Sequence, residues 1–86
     1  MIKAEKAREI TTKYSDYSIK VMYYEELASL LIEDAAKDGR NNCILKIKED
    51  KNAYEIAVKI GNILIDNGYT YRFFKEGSKY GFWIFW

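Results

Sequence analysis

Hydrophobic side chains recur at helical spacing in two long segments, residues 16–38 and residues 52–67. When each residue is rotated by 100° about a helix axis, the apolar positions of each segment cover an arc of roughly 220°. In the first segment the remaining arc is filled by Glu25, Glu26, Ser29 and Glu33. An ordinary surface helix buries a narrower stripe, often little over about 100°. Each predicted helix therefore needs two packing partners, such as a sheet and a second helix.

Glycine and polar residues mark the ends of these helices. Gly39 and Gly68 follow the last helical positions and are predicted to end the two helices. Asn52, followed three residues later by Glu55, resembles a capping box at the start of the second segment. A shorter helix is predicted for residues 3–13, and its narrow side of small residues could pack closely against a larger helix. Ser15 or Asp16 is the predicted N-cap of the long helix.

Strict alternation predicts strands in the rest of the chain. Residues 42–48 alternate between a side with Cys43, Leu45 and Ile47 and a side that carries two lysines. Residues 69–86 resemble a β-hairpin around Gly77-Ser78, which suits a two-residue type II′ turn. That turn fixes the register of the hairpin, which pairs Glu76 with Lys79, Lys75 with Tyr80, Phe73 with Phe82, Tyr71 with Ile84 and Tyr69 with Trp86.

The elements follow one another in the order α-α-β-α-β-β, within a single domain of residues 1–86. This order predicts an α+β fold, with a three-stranded, mainly antiparallel sheet and helices on one of its faces. The last strand is apolar on both faces, so we expect it in the centre of the sheet, between the other two. An alternative places the strand that begins at Tyr69 in the middle, parallel to the first.

The face of the sheet that the helices leave open carries the candidate binding residues. Its aromatic residues are Phe74, Trp83 and Phe85, and its cations are Lys46, Lys48 and Arg72. Three interpretations stay open. The N-terminal helix or the chain ends could cover these aromatics. The face could contact another protein or a second copy, since exposed contiguous aromatics mark interaction sites. It could also stack the bases of single-stranded nucleic acid or the ring of a nucleotide, with the cations meeting phosphates.

Composition narrows the classes of function. Fourteen basic residues against 13 acidic ones give a net charge of +1, which disfavours non-specific nucleic-acid binding as the main role. Histidine is absent, and we find neither a glycine-rich phosphate loop nor a Cys-x-x-Cys pair. The sequence therefore predicts no cofactor, no metal site and no enzymatic activity. Cys43 is predicted to be a buried structural residue, because free cysteine usually behaves as a small hydrophobe.

Location and assembly follow from the same features. The charged N-terminus lacks the apolar stretch of a signal peptide, and no apolar run approaches the length of about 18 residues that a membrane span requires. A single cysteine fits a reducing cytosol, so we expect a cytoplasmic protein with no membrane partner. The two wide apolar arcs and the two-sided aromatic sheet present more apolar surface than a small domain covers easily. We therefore expect a homo-oligomer.

Three segments resemble a group of small bacteriophage-encoded proteins: Ala-Glu-Lys-Ala-Arg-Glu at residues 4–9, residues 32–39, and the closing Asn-Gly-Tyr and Trp-Ile-Phe-Trp. The resemblance runs the whole length and departs at Lys3, where Ser or Thr would be the expected cap. It implies an accessory or inhibitor protein that acts in the cytoplasm of the host cell, by binding a host protein or by blocking a component of host defence. The group has no defining site motif, so it assigns no functional residue.

Overall fold

The computed structural model describes residues 1–15, 17–48, 52–77 and 79–86, without the side chains of residues 13–15, 17 and 18. It has three helices and three strands: α1 (Ala4–Ser15), α2 (Tyr17–Lys37), β1 (Asn42–Lys48), α3 (Ala53–Asp66), β2 (Thr70–Glu76) and β3 (Lys79–Phe85). The strands form one antiparallel sheet in the order β1-β3-β2. The predicted α+β fold, its element order and the central position of the last strand are confirmed. The predicted N-cap at Ser15 or Asp16 lies outside the described residues.

Both long helices end as the glycines predict. Gly39 has a φ of 77°, and the N–H of Arg40 donates to the carbonyl of Ala35 at 2.9 Å. Gly68 has a φ of 86°, and the N–H of Tyr69 donates to the carbonyl of Leu64 at 3.0 Å. These hydrogen bonds are those of the Schellman motif. The motif needs a residue in the left-handed conformation, which glycine adopts without steric cost.

The predicted capping box at Asn52 is wrong. The side chain of Asn52 makes no capping hydrogen bond, and its backbone has a φ of −114° and a ψ of 15°. An N-cap side chain reaches the N–H groups of the first turn from an extended backbone, with a large positive ψ. The backbone of Asn52 does not have that conformation.

The predicted hairpin register is confirmed at each pair within the strands. Glu76 pairs with Lys79, and Trp83 lies between Arg72 of β2 and Ile44 of β1. Gly77 has a φ of 58°, as glycine in the first central position of the predicted turn requires. Ser78, the second turn residue, lies outside the described residues.

The hydrophobic core lies between the sheet and the two long helices. Its fully buried large side chains come from β1, β3 and α3: Leu45, Ile47, Phe82, Ile84, Ile56 and Ile60. Helix α2 packs against β1 and α3, which confirms that it has two partners. The arc is still only partly covered, because Tyr23 and Leu30 remain 59% exposed.

Helix α1 projects from this body. It contacts α2 alone, and its described side chains are exposed apart from the half-buried Ala7. The chain has a radius of gyration of 14.9 Å and a longest extent of 47 Å, whereas a compact domain of this length has a radius of gyration of about 12 Å. The side of α1 that carries small residues is therefore not packed against a larger helix.

Gly61 in the middle of α3 permits close contact with β2. A Cβ added at Gly61 would lie 2.5 Å from the hydroxyl oxygen of Tyr71 and 3.0 Å from its Cζ. The ring of Tyr71 also meets Phe82 edge to face, with centroids 5.0 Å apart, so it has little freedom to withdraw. Glycine therefore stands in a helix interior where alanine has the better propensity by about 1 kcal/mol.

We expect Gly61→Ala to lower the free energy of unfolding by about 1 kcal/mol, because overpacking of about 1–3 kcal/mol exceeds the gain in helix propensity. Urea unfolding measures this change. In a Tyr71→Phe background, which removes the obstructing oxygen, the same substitution should cost less. Equal costs in both backgrounds would contradict the assigned contact.

Candidate functional site: the open sheet face

The face of the sheet opposite α2 and α3, called here the open sheet face, has an apolar centre and a basic rim. Alternation along the strands places twelve residues on it: Asn42, Ile44, Lys46 and Lys48 of β1, Thr70, Arg72, Phe74 and Glu76 of β2, and Lys79, Gly81, Trp83 and Phe85 of β3. Among the described residues, helix α1 makes no contact with the sheet, so it does not cover this face. Trp83 is 40% exposed and its neighbour Ile44 is 49% exposed.

The apolar centre is built around Trp83. The rings of Trp83 and Phe85 lie on the same side of β3 with their centroids 4.8 Å apart. The indole Nε1 of Trp83 donates a long hydrogen bond of 3.4 Å to Oδ1 of Asn42. The ring is thus held from two sides and presents a preoriented aromatic surface to solvent. Preorientation favours binding, because less side-chain entropy is lost when a partner docks.

Gly81 decides where Phe74 lies. The two residues are paired across β2 and β3, and a Cβ added at Gly81 would overlap the ring of Phe74. The ring of Phe74 therefore occupies the space above Gly81 and is half-buried. The absence of a side chain at Gly81 lets Phe74 lie in the apolar centre. Trp83 is the next residue of β3 on the same face.

The rim of the face is basic. Lys46 Nζ lies 3.7 Å from Oε2 of Glu76, which is the one carboxylate among the described residues of the face. The other three cations, Lys48, Arg72 and Lys79, have no ion-pair partner among the described residues. The face therefore carries uncompensated positive charge around an apolar centre.

All six residues predicted for the site lie on this one face, as the register requires. Alternation also predicts Ile44 on this face, although Ile44 is not among the predicted site residues, and the prediction for the face omitted Lys79 and Asn42. Parity along the strands was sufficient to place them, because residues 79 and 81 share the face of 83, and residues 42 and 44 share the face of 46. The hydrogen bond from Trp83 to Asn42 has no signal in the sequence, since it depends on the rotamer of the indole.

The arrangement suits contact and not proton transfer. Its aromatic centre can pack against an apolar or planar partner, and its cations can meet anionic groups at the edge. In the part of the chain that the structure describes, no group of His, Cys, Asp and Glu side chains could hold a metal ion.

Cys43 lies on the opposite face, within the core, and is 8% exposed. This confirms the predicted burial. Burial raises the pKa of the Cys43 thiol, and the positive charge of Arg40 opposes the rise in part. A raised pKa leaves less of the nucleophilic thiolate at neutral pH.

We expect Cys43 in the folded chain to react with an aromatic disulfide reagent far more slowly than the same thiol in urea. Reaction should be limited by opening of the fold, because both burial and the raised pKa suppress attack. Absorbance of the released thiolate measures the rate. Equal rates in the folded and unfolded chain would place Cys43 outside the core.

Comparison of the chain with protein-family models, with curated proteins and with solved structures found no match. Among the described helices, none is long and apolar enough to cross a membrane.

Proposed function

We propose that the protein is a non-enzymatic binding protein that docks its open sheet face onto another protein. The observation that carries the proposal is the exposed Trp83, preoriented by Phe85 and Asn42 at the centre of a face that no described helix covers. Large aromatic anchors at the centre of a patch contribute most of the binding energy at protein interfaces.

The charge of the face indicates the kind of partner. Within the described part of the chain, three cations without an ion-pair partner surround the apolar centre, and the one carboxylate of the face is paired with Lys46. A complementary surface has an apolar pocket for Trp83, flanked by aspartate or glutamate side chains. Rim charges of this kind steer association and set specificity more than they set affinity.

The resemblance to small bacteriophage-encoded proteins supports a host protein as that partner. In this proposal the chain is an accessory or inhibitor protein of the host cytoplasm, and its target is a host protein such as a component of defence. Inhibition by occupation of a surface needs no catalytic group.

A differential capture experiment tests the proposal. The wild-type chain, Trp83→Ala and Tyr54→Ala are immobilised and exposed to a lysate of the host cell. Tyr54 is an aromatic residue on α3 that is 63% exposed, so it serves as the matched control. We expect a protein that the wild-type chain and Tyr54→Ala retain and Trp83→Ala loses. Retention that is equal for all three chains would contradict the proposed face.

The purified partner then allows the charges to be tested. Reversal of Arg72 or Lys48 to glutamate should slow association and make it less sensitive to salt, because the substitution removes long-range attraction. Stopped-flow mixing at low and high salt measures this effect. Association rates that neither substitution changes would exclude an acidic partner surface.

Binding of single-stranded nucleic acid or a nucleotide is the second candidate, favoured by the adjacent rings of Trp83 and Phe85 beside cations that have no ion-pair partner among the described residues. If three cations meet phosphates, the logarithm of the binding constant for a short oligonucleotide should fall with a slope of roughly −2 against the logarithm of salt concentration. Arg72→Ala should make this slope less steep by the contribution of about one phosphate contact. Absence of tryptophan quenching by the oligonucleotide at low salt would exclude this candidate.

A further inference from the structure

A groove between α2 and α3 lies on the opposite side of the molecule from the open sheet face. It has a volume of about 290 Å³ and an apolar floor that includes Ala28, Ile32 and Ile63. Glu25 and Glu33 of α2 stand along one wall, and Tyr69 lines the groove as well. The groove is therefore apolar at its base and acidic along one wall.

The two glutamates differ in their partners. Glu33 is paired with Lys37, whose Nζ lies 3.0 Å from Oε1 of Glu33. This pairing raises the pKa of Lys37, chiefly through the hydrogen bond to Glu33. Glu25 has no ion-pair partner among the described residues. The charge of Glu25 is therefore available to a cation that enters the groove.

Helix α1 carries a narrow stripe of small residues beside a basic side chain. Ala4, Ala7 and Thr11 fall within an arc of about 60° at 100° per residue. Arg8 flanks this small-residue stripe, whereas Glu5 and Glu9 lie on the far side of the helix. Ion pairing occupies Lys6, with Glu9 at 3.6 Å, but among the described residues Arg8 has no such partner. The stripe is exposed apart from the half-buried Ala7.

The lengths of the two surfaces agree. The stripe from Ala4 to Thr11 spans about 11 Å at 1.5 Å per residue, and the wall from Glu25 to Glu33 spans about 12 Å. Small residues on α1 opposite Ala28 allow two helices to approach closely. Helix α1 does not lie in the groove of its own chain, because among the described residues it contacts α2 but not α3.

We propose that α1 of one copy docks in the groove between α2 and α3 of a second copy, with Arg8 beside Glu25. The exchange is reciprocal, so one two-fold axis generates two identical contacts. It covers the exposed stripe of each α1 and the open groove of each body. The open sheet face stays free in this dimer.

A charge exchange tests the contact in the full chain. The wild-type chain should have twice the 10.2 kDa mass of one copy by size-exclusion chromatography with light scattering. Arg8→Glu and Glu25→Arg should each raise the dissociation constant of the dimer by at least about tenfold, because each places like charges side by side. The double variant Arg8→Glu/Glu25→Arg restores an opposite-charge pair and should restore the dimer. Circular dichroism of each variant checks that these surface substitutions leave the chain folded.

Trp83→Ala is the matched control. The proposal predicts that this variant remains a dimer. This result distinguishes the exchange of α1 helices from a dimer formed through the open sheet face. Three results would overturn the proposal: a monomeric wild-type chain, single variants that keep wild-type dimer affinity, or a dimer that Trp83→Ala dissociates.

Discussion

A chain that ends at Phe82 should not fold. The missing residues belong to the central strand, so their removal takes hydrogen-bonding partners from both β1 and β2. Ile84 is fully buried, and the N–H of Trp86 donates to the carbonyl of Asn41 at 3.0 Å. Full burial of a side chain such as Ile84 contributes about 1.5–3 kcal/mol, and the lost pairing adds to that. A small domain has a total stability of only about 5–15 kcal/mol.

Thermal unfolding followed by circular dichroism measures this loss. A chain that lacks only Trp86 is the matched control, because Trp86 is 38% exposed and Ile84 remains in place. We expect the control to unfold cooperatively at a moderately lower temperature and the chain that ends at Phe82 to show no transition. A cooperative transition in the shorter chain would contradict the central position of β3.

Phe82→Ala and Trp83→Ala should differ sharply in stability, although the residues are neighbours on one strand. Phe82 is 1% exposed and packs in the core, whereas Trp83 is 40% exposed on the open sheet face. Phe82→Ala should cost about 3–5 kcal/mol, as for a core aromatic residue. Trp83→Ala removes a larger side chain but leaves no enclosed cavity, so it should cost substantially less.

Urea unfolding of the two variants beside the wild-type chain measures the difference. The result also decides how binding data are interpreted, because loss of binding by a stable Trp83→Ala reports the surface itself. If Trp83→Ala were as destabilising as Phe82→Ala, Trp83 would belong to a core and the open sheet face would be covered.

Local signals were sufficient to predict most of the fold. Gly39 and Gly68 have positive φ angles at helix ends, which few other residues adopt. The two-residue turn at Gly77 fixed the register of the hairpin, and the apolar residues on both faces of β3 indicated a central strand. These features act between near neighbours, so the amino-acid pattern contains them.

Other features depend on geometry that the pattern does not contain. The backbone at Asn52 excludes the capping hydrogen bond that the residue type suggests. Among the described residues, α1 contacts α2 and no other element, and the apolar spacing on α1 does not indicate this. The ring of Phe74 occupies the space that a Cβ at residue 81 would take, in a rotamer that only glycine at that position permits. The site residues were predictable because strand parity alone places them on one face.

Footprinting shows directly whether the partner protein binds the open sheet face. Hydroxyl radicals oxidise exposed aromatic and aliphatic side chains, and mass spectrometry locates the modified residues in the free chain and in its complex with the captured partner. We expect Trp83, Phe85 and Ile44 to be protected in the complex, while Tyr54 on α3 keeps the reactivity of the free chain. Protection of Tyr54 with undiminished oxidation of Trp83 would contradict the account, because the partner would then bind the helical side of the molecule.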